Sequence, residues 1–237
     1  HPPVSAFMVE LMFNFFGNQD WAYYLLSQIC LIIAFIYVWK FSNFVFKNKL
    51  HSLCSVLLLE GIIFYNFTSP EFNVNVCLLP FWALVVYYSW KSLNYEKTSD
   101  LILLGIFMSI GFLTKYLFIY LILAIKIIFI FNLLGKKKFK TKLLIPGTIF
   151  IFFLLPHIIW LFQNNFVTIS YALNRTGIEE NNFLNYLSNP FLFLVKQIGI
   201  LLPVLVMLFT FIKIKKINFN NLKKNNNFLL LINIFPL

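Results

Sequence analysis

From Leu101 to Leu134 the chain reads LILLGIFMSIGFLTKYLFIYLILAIKIIFIFNLL, and this run limits what the protein can be. As one helix it would extend about 50 Å at 1.5 Å per residue, against a bilayer hydrocarbon core of ~30 Å. Lysines flank it on both sides, Lys91 and Lys97 before and Lys136, Lys137, Lys138, Lys140 and Lys142 after. Basic clusters between apolar runs mark cytoplasmic loops. An even number of crossings must therefore lie between these two clusters. The run is predicted to be a hairpin of two spans, with Thr114 and Lys115 at its tip on the opposite face.

Composition agrees. Of the 237 residues 60% are hydrophobic and 11% are charged, whereas soluble domains carry roughly a quarter charged residues. The net charge of +11 first suggests nucleic acid. Its distribution argues otherwise, because two more clusters, Lys40/Lys47/Lys49 and Lys213/Lys215/Lys216/Lys223/Lys224, also sit between apolar runs. Outside the clusters stand only Lys115, Lys126, Arg175 and Lys196. That leaves no basic groove interleaved with aromatics for a nucleic acid. Cys30, Cys54 and Cys77 lie in apolar runs without CxxC spacing and read as small core residues.

The expected fold is an all-α polytopic transmembrane bundle within a single domain, since only helices or closed barrels span lipid. About seven spans are predicted, at 21–39, 51–66, 74–90, 99–113, 116–134, 143–162 and 189–212, with an eighth starting at 228. Parity then puts 1–20, 67–73, 114–115 and 163–188 on the outer face. Val4, Phe7, Met8, Leu11, Met12, Phe15 and Phe16 form a helical stripe. Pro3 suits its first turn and Gly17 its end. Residues 1–17 are too short to cross, so they are expected to lie along the outer leaflet, with 18–237 forming the transmembrane helices. A chain that starts on the outer face without an initiator methionine, and stops ten residues into a new span, is expected to be a piece cut at both ends.

The outer-face landmarks come in order: HPPV at 1–4, TSPEFN at 68–73, GFLTKY at 111–116, LLPHIIWLFQNNFVTISYALNRTG at 154–177 and NPFLFLVKQIGILLPVL at 189–205. This series resembles the GT-C class of membrane glycosyltransferases, which includes the protein O-mannosyltransferases, the aminoarabinose transferase of lipid A and Rgt-type lipopolysaccharide glycosyltransferases. In that class an element like (D/E)-(H/K)-P-P-L precedes an interfacial helix, then P-D or P-E closes an outer helix end, and L-(S/T)-K-(Y/G) marks a hairpin tip. The resemblance covers nearly the whole chain. It departs in two ways: the acids that precede the His-Pro-Pro element are absent, and Glu71 stands where Asp is commoner. The fragment alone is therefore expected to be inactive.

The resemblance implies inverting transfer of a sugar from a polyprenyl-phosphate donor to a lipid, glycan or protein acceptor on the outer face of a bacterial plasma membrane. No nucleotide cofactor is implied, and no Walker, Rossmann, HExxH or GxSxG pattern occurs. A divalent metal ion is left open as cofactor. Glu71 is implied as the catalytic acid-bearing position that orients an acceptor or a metal-bound phosphate; the ordinary alternative is an interfacial carboxylate near a helix N-terminus. Lys115, His1 and Arg175 are implied as substrate-binding groups at the donor phosphate. A compact ammonium and a planar guanidinium suit that work. The ordinary alternatives are a snorkelling lysine, a chain-terminal residue, and a loop arginine balancing Glu179 and Glu180.

Glu60 and Lys126 fall in mid-span, where a charge is costly unless it faces protein or water. If paired, they would suit a transporter or lipid flippase, which is the alternative function together with a non-catalytic scaffold. His157, after Pro156, reads as a packing residue.

Overall fold

The computed structural model describes residues 2–136, 141–175, 183–214, 228–229 and 232. Within them the chain is helical, in the order α1 Val4–Phe16, α2 Asp20–Phe46, α3 Lys49–Glu60, α4 Val74–Tyr95, α5 Thr98–Thr114, α6 Ile119–Lys136, α7 Ile145–Gln163, α8 Val167–Arg175 and α9 Phe183–Ile214. Short 3-10 turns lie at Ile63–Tyr65, Tyr116–Phe118 and Thr141–Leu144. No strand occurs among the described residues.

Four helical stretches are long and apolar enough to cross a bilayer: Asp20–Phe46, Val74–Tyr95, Lys142–Gln163 and Ser188–Phe211. The last presents Phe191, Leu194, Ile198 and Phe209 to its surroundings, as a lipid-facing helix would. Shorter apolar helices cover Val4–Phe16, Thr98–Thr114 and Tyr116–Phe131.

Two expected spans differ in extent. The first runs past residue 39, through Lys40, to Phe46, because nothing in FSNFVF breaks a helix. It ends only where Lys47 turns into the left-handed region at φ 51. The Lys40 ammonium meanwhile lies 4.7 Å from the centre of the Tyr37 ring. The second, expected at 51–66, is not one helix. It begins under an Asn48 side-chain cap and stops at Glu60, and the chain becomes extended at Ile62 before the 3-10 turn. Gly61 marks the break, where α9 approaches so closely that a Cβ would sit 3.0 Å from Met207 Sδ and 3.1 Å from Val204 Cα.

The 101–134 run does turn at Thr114 and Lys115, as expected. Its arms do not lie mainly on each other, however. Helix α5 is sandwiched between α4 and α7, while α6 packs on α4. Gly105 permits the α7 contact, since a Cβ there would fall 2.8 Å from both Pro146 O and Ile149 Cβ. The core at this junction comprises Cys77, Phe81, Leu84 and Val85 of α4, Leu101, Leu104 and Met108 of α5, and Leu121, Ile122 and Ile125 of α6.

The stripe on α1 divides in two. Met12 is buried with Ala22 and Leu26 of α2, and Met8 Sδ meets Cys77 Sγ at 3.5 Å. Phe7 and Phe15 stay 66% and 75% exposed. One edge of the helix packs on protein and leaves the other exposed.

At the far end of α4 and α5 an ion pair joins the half-buried Lys91 Nζ to the buried Asp100 Oδ1 at 2.8 Å. Glu60 and Lys126 are both exposed and do not pair with each other, which removes the coupling pair expected of a transporter. Of the expected eighth span, Phe228 is described. Its ring meets Trp90 at 4.9 Å.

Candidate active site

The hairpin tip carries the site, and local sequence shapes it. Thr114 ends α5 with its hydroxyl donating back to Ile110 O at 2.8 Å. Lys115 is extended (φ −153, ψ 126), which throws its side chain clear of both helices. Phe118 N then donates to Lys115 O at 2.9 Å. The wholly buried Phe118 ring folds onto Gly111, where a Cβ would lie only 2.4 Å away. Trp82 closes on the same ring edge-to-face at 5.7 Å. A glycine one turn before the tip is thus what lets the aromatic pack and the lysine stand out.

Lys115 Nζ donates to Asn75 Oδ1 at 2.8 Å. Asn75 is the second residue of α4, whose first amides are capped by the Asn73 side chain, accepting from Asn75 N at 2.9 Å and Val76 N at 3.1 Å. Lys115, Asn73 and Asn75 line a cavity of about 580 Å³ with Tyr65, Thr68 and Trp82. The ammonium therefore faces the cavity held by a neutral acceptor, and no carboxylate among the described residues pairs with it.

The segment 62–73 forms one wall and is anchored. Ser69 is buried; its hydroxyl donates to Asn66 O at 2.9 Å, and its carbonyl accepts from Ser27 Oγ of α2. Glu71 lies on this segment, exposed, with its carbonyl accepting from Asn73 Nδ2 at 3.2 Å. The structure thus sets Glu71 at the approach to α4, two residues before the cap, and does not pair its carboxylate with Lys115.

A second cavity of about 530 Å³ lies across the tip, lined by Pro3, Phe7, Leu113, Phe153, Pro156, His157 and Trp160. Pro3 brings the HPPV element to this end of the bundle, while His1 lies outside the described residues. Arg175 ends α8, and its side chain is also outside them. Among the described residues no group of three or more His, Cys, Asp or Glu side chains could hold a metal ion, so no step is derived through one.

Sequence reasoning missed the parts played by Asn75, Tyr116, His157 and Thr168. Asn75 had no signal beyond its place in a helix start. Tyr116 hydrogen-bonds His157 Nε2 and Thr168 Oγ1, each at 2.8 Å. His157, expected to be a packing residue, thereby becomes part of the tip. Partners 41 and 52 residues apart leave no local pattern to read.

Comparisons with known proteins bear on the family of the chain. Residues 1–160 match the family described as dolichyl-phosphate-mannose-protein mannosyltransferase. A curated relative is the undecaprenyl phosphate-alpha-4-amino-4-deoxy-L-arabinose arabinosyl transferase of Wigglesworthia glossinidia brevipalpis, 29% identical over 143 residues. That match covers 56% of this chain and 25% of the relative, so the chain spans about a quarter of that protein's length. No solved structure matches. With apolar helices of spanning length, an ordered series of motifs at one end of the bundle and a family match over most of its length, the chain is an integral membrane protein that belongs to the dolichyl-phosphate-mannose-protein mannosyltransferase family of GT-C type glycosyltransferases.

Proposed function

We propose that the protein containing this chain transfers a sugar from a polyprenyl-phosphate carrier to an acceptor hydroxyl or amine on the outer face of the membrane. The observation that carries this reading is the Lys115 ammonium, held on a neutral amide at the wall of a cavity beside the Glu71 segment. A phosphate entering that cavity meets a preorganised cation, which favours the charge that builds on the leaving group. The relative's name supplies the chemical class of donor, a sugar on undecaprenyl phosphate.

In this scheme the acceptor attacks the anomeric carbon from the face opposite the phosphate, inverting the configuration. The bond from carbon to phosphate oxygen breaks, and the electron pair leaves with the phosphate, stabilised by Lys115. His1 and Arg175 assist at the same phosphate. Glu71 orients the acceptor. An acidic residue outside this chain takes the acceptor's proton, so the chain alone is inactive. The lysine-rich ends face the cytoplasm, α5 and α6 cross as a short hairpin, and α3 crosses together with the 61–66 stretch that follows it, which keeps the seven-span parity. Donor tails lie against the apolar helices, and no nucleotide takes part.

The test is transfer from polyprenyl-phosphate sugars by the intact protein in membranes, with Lys115→Ala. Removing one preorganised charge should lower kcat by about 10²–10³. Wild-type rates in that variant would overturn the assignment.

A further inference from the structure

We infer that Tyr116, held between His157 and Thr168, is a positioning residue that sets the direction of Lys115. The inference rests on the phosphate role of Lys115 only for its functional consequence.

Three elements meet at the Tyr116 hydroxyl. It bonds His157 Nε2 of α7 and Thr168 Oγ1 of α8, both at 2.8 Å. The hydroxyl has one proton for two partners. With His157 as acceptor, Thr168 donates to Tyr116 and Tyr116 donates to His157. With Nε2 protonated, the chain runs in the other direction. Either way both hydrogen bonds to the Tyr116 hydroxyl are made, so the latch holds with His157 in either tautomer. His157 itself is fixed, lying flat on Trp160 with ring centres 5.7 Å apart and planes 11° apart. Phe112 braces the Tyr116 ring at 5.4 Å.

The consequence for Lys115 follows from adjacency. Lys115 is extended and Tyr116 begins the 3-10 turn, so their side chains leave the tip in different directions. Lys115 reaches α4, and Tyr116 reaches α7 and α8. The tip is thus pulled from two sides, with Phe118 seated on Gly111 as the third fixed point. Without the Tyr116 bonds the backbone at 115–116 can rotate about the Phe118 anchor, and the ammonium loses its aim at Asn75. Helix α8 also carries Arg175, so the same latch ties the outer segment 163–175 to the lysine.

Amine acetylation of the intact protein in nanodiscs, followed by mass spectrometry of the peptide bearing Lys115, tests this directly. Tyr116→Phe, His157→Leu and Thr168→Val should each raise the labelling rate of Lys115 about fivefold, the shift expected on losing one net hydrogen bond. His157→Gln, which restores an acceptor and a donor, should stay within about twofold of wild type. The Tyr116→Phe, His157→Leu double variant should label no faster than either single variant, as members of one unit do. Unchanged labelling in Tyr116→Phe, or loss in His157→Gln equal to that in His157→Leu, overturns the inference. Should Tyr116→Phe fail to fold, Thr168→Val reads the same latch without altering the tip.

Affinity for undecaprenyl phosphate separates the two readings. Raised labelling with weakened binding supports both. Raised labelling with wild-type binding supports the latch and removes Lys115 from the phosphate site.

Discussion

Lys115 Nζ and Asn75 Oδ1 stand 2.8 Å apart although 40 residues separate them in the chain. The acceptor is an amide, and that choice decides the electrostatics of the cavity. An amide orients an ammonium without cancelling its charge, whereas a carboxylate would do both. Asn75→Asp should therefore pair with Lys115 and weaken binding of undecaprenyl phosphate by about tenfold or more, as two charges in contact near a surface interact by several kcal/mol. Asn75→Ala should cost less, because the lysine keeps its charge and loses only its aim. Binding isotherms in nanodiscs would show the order; tighter binding in Asn75→Asp would rule it out.

Glu71 is exposed and stands apart from the lysine, so its effect should fall on the acceptor rather than on the donor. Glu71→Gln should lower the rate of transfer by about 10², the lower end for a positioned acid or base. Undecaprenyl phosphate affinity should not change. A matching loss of donor affinity would move Glu71 into the phosphate site.

Gly111 holds the tip together by what it lacks. Any Cβ there meets the Phe118 ring between 2.4 and 2.8 Å away, and Phe118 is wholly buried against Trp82. Gly111→Ala should destabilise the fold by about 1–3 kcal/mol, as overpacking does. Gly111→Ala combined with Phe118→Leu should recover part of that loss. Thermal unfolding in detergent followed by tryptophan fluorescence reads both, and a neutral Gly111→Ala would contradict the packing.

Lys91, half-buried, pairs with the buried Asp100, whose Oδ2 has no hydrogen-bond partner among the described residues. Lys91→Met should strand the carboxylate and cost about 1–3 kcal/mol. Lys91→Met with Asp100→Leu should recover most of that loss, because removing the buried carboxylate as well removes its desolvation cost. Additive losses in the double variant would show that the two residues act separately.

Ser27 reaches from α2 to the carbonyl of Ser69 and so fixes the wall that carries Glu71. Ser27→Ala should leave that buried carbonyl short of a donor, at a cost of about 1 kcal/mol. Amide exchange should quicken across residues 66–73 and stay constant in α5. Unaltered exchange there would mean that the wall is held by its own turn.

Much of the fold was legible because the bilayer allows few solutions. Apolar length, lysine clusters and parity placed the turn at Thr114 and Lys115, where the structure turns. The 51–66 element was not legible. Its apolar letters describe a span, but the helix yields at Gly61 because α9, more than 140 residues later, comes within contact distance there. Nothing local to residues 51–66 encodes that approach.

The site divides in the same way. Sequence alone determined that Lys115 would be an isolated cation at a hairpin tip and that Glu71 would stand before a helix start, since both follow from hydrophobic length and local turn chemistry. Tertiary structure alone decided what those groups face. Asn75 under the ammonium, Ser27 behind the Glu71 wall and the His157 and Thr168 partners of Tyr116 are all brought in by helix packing. Hydrogen bonds between helices depend on how ridges and small residues set the distance between axes, and a linear pattern of residue types does not contain that distance.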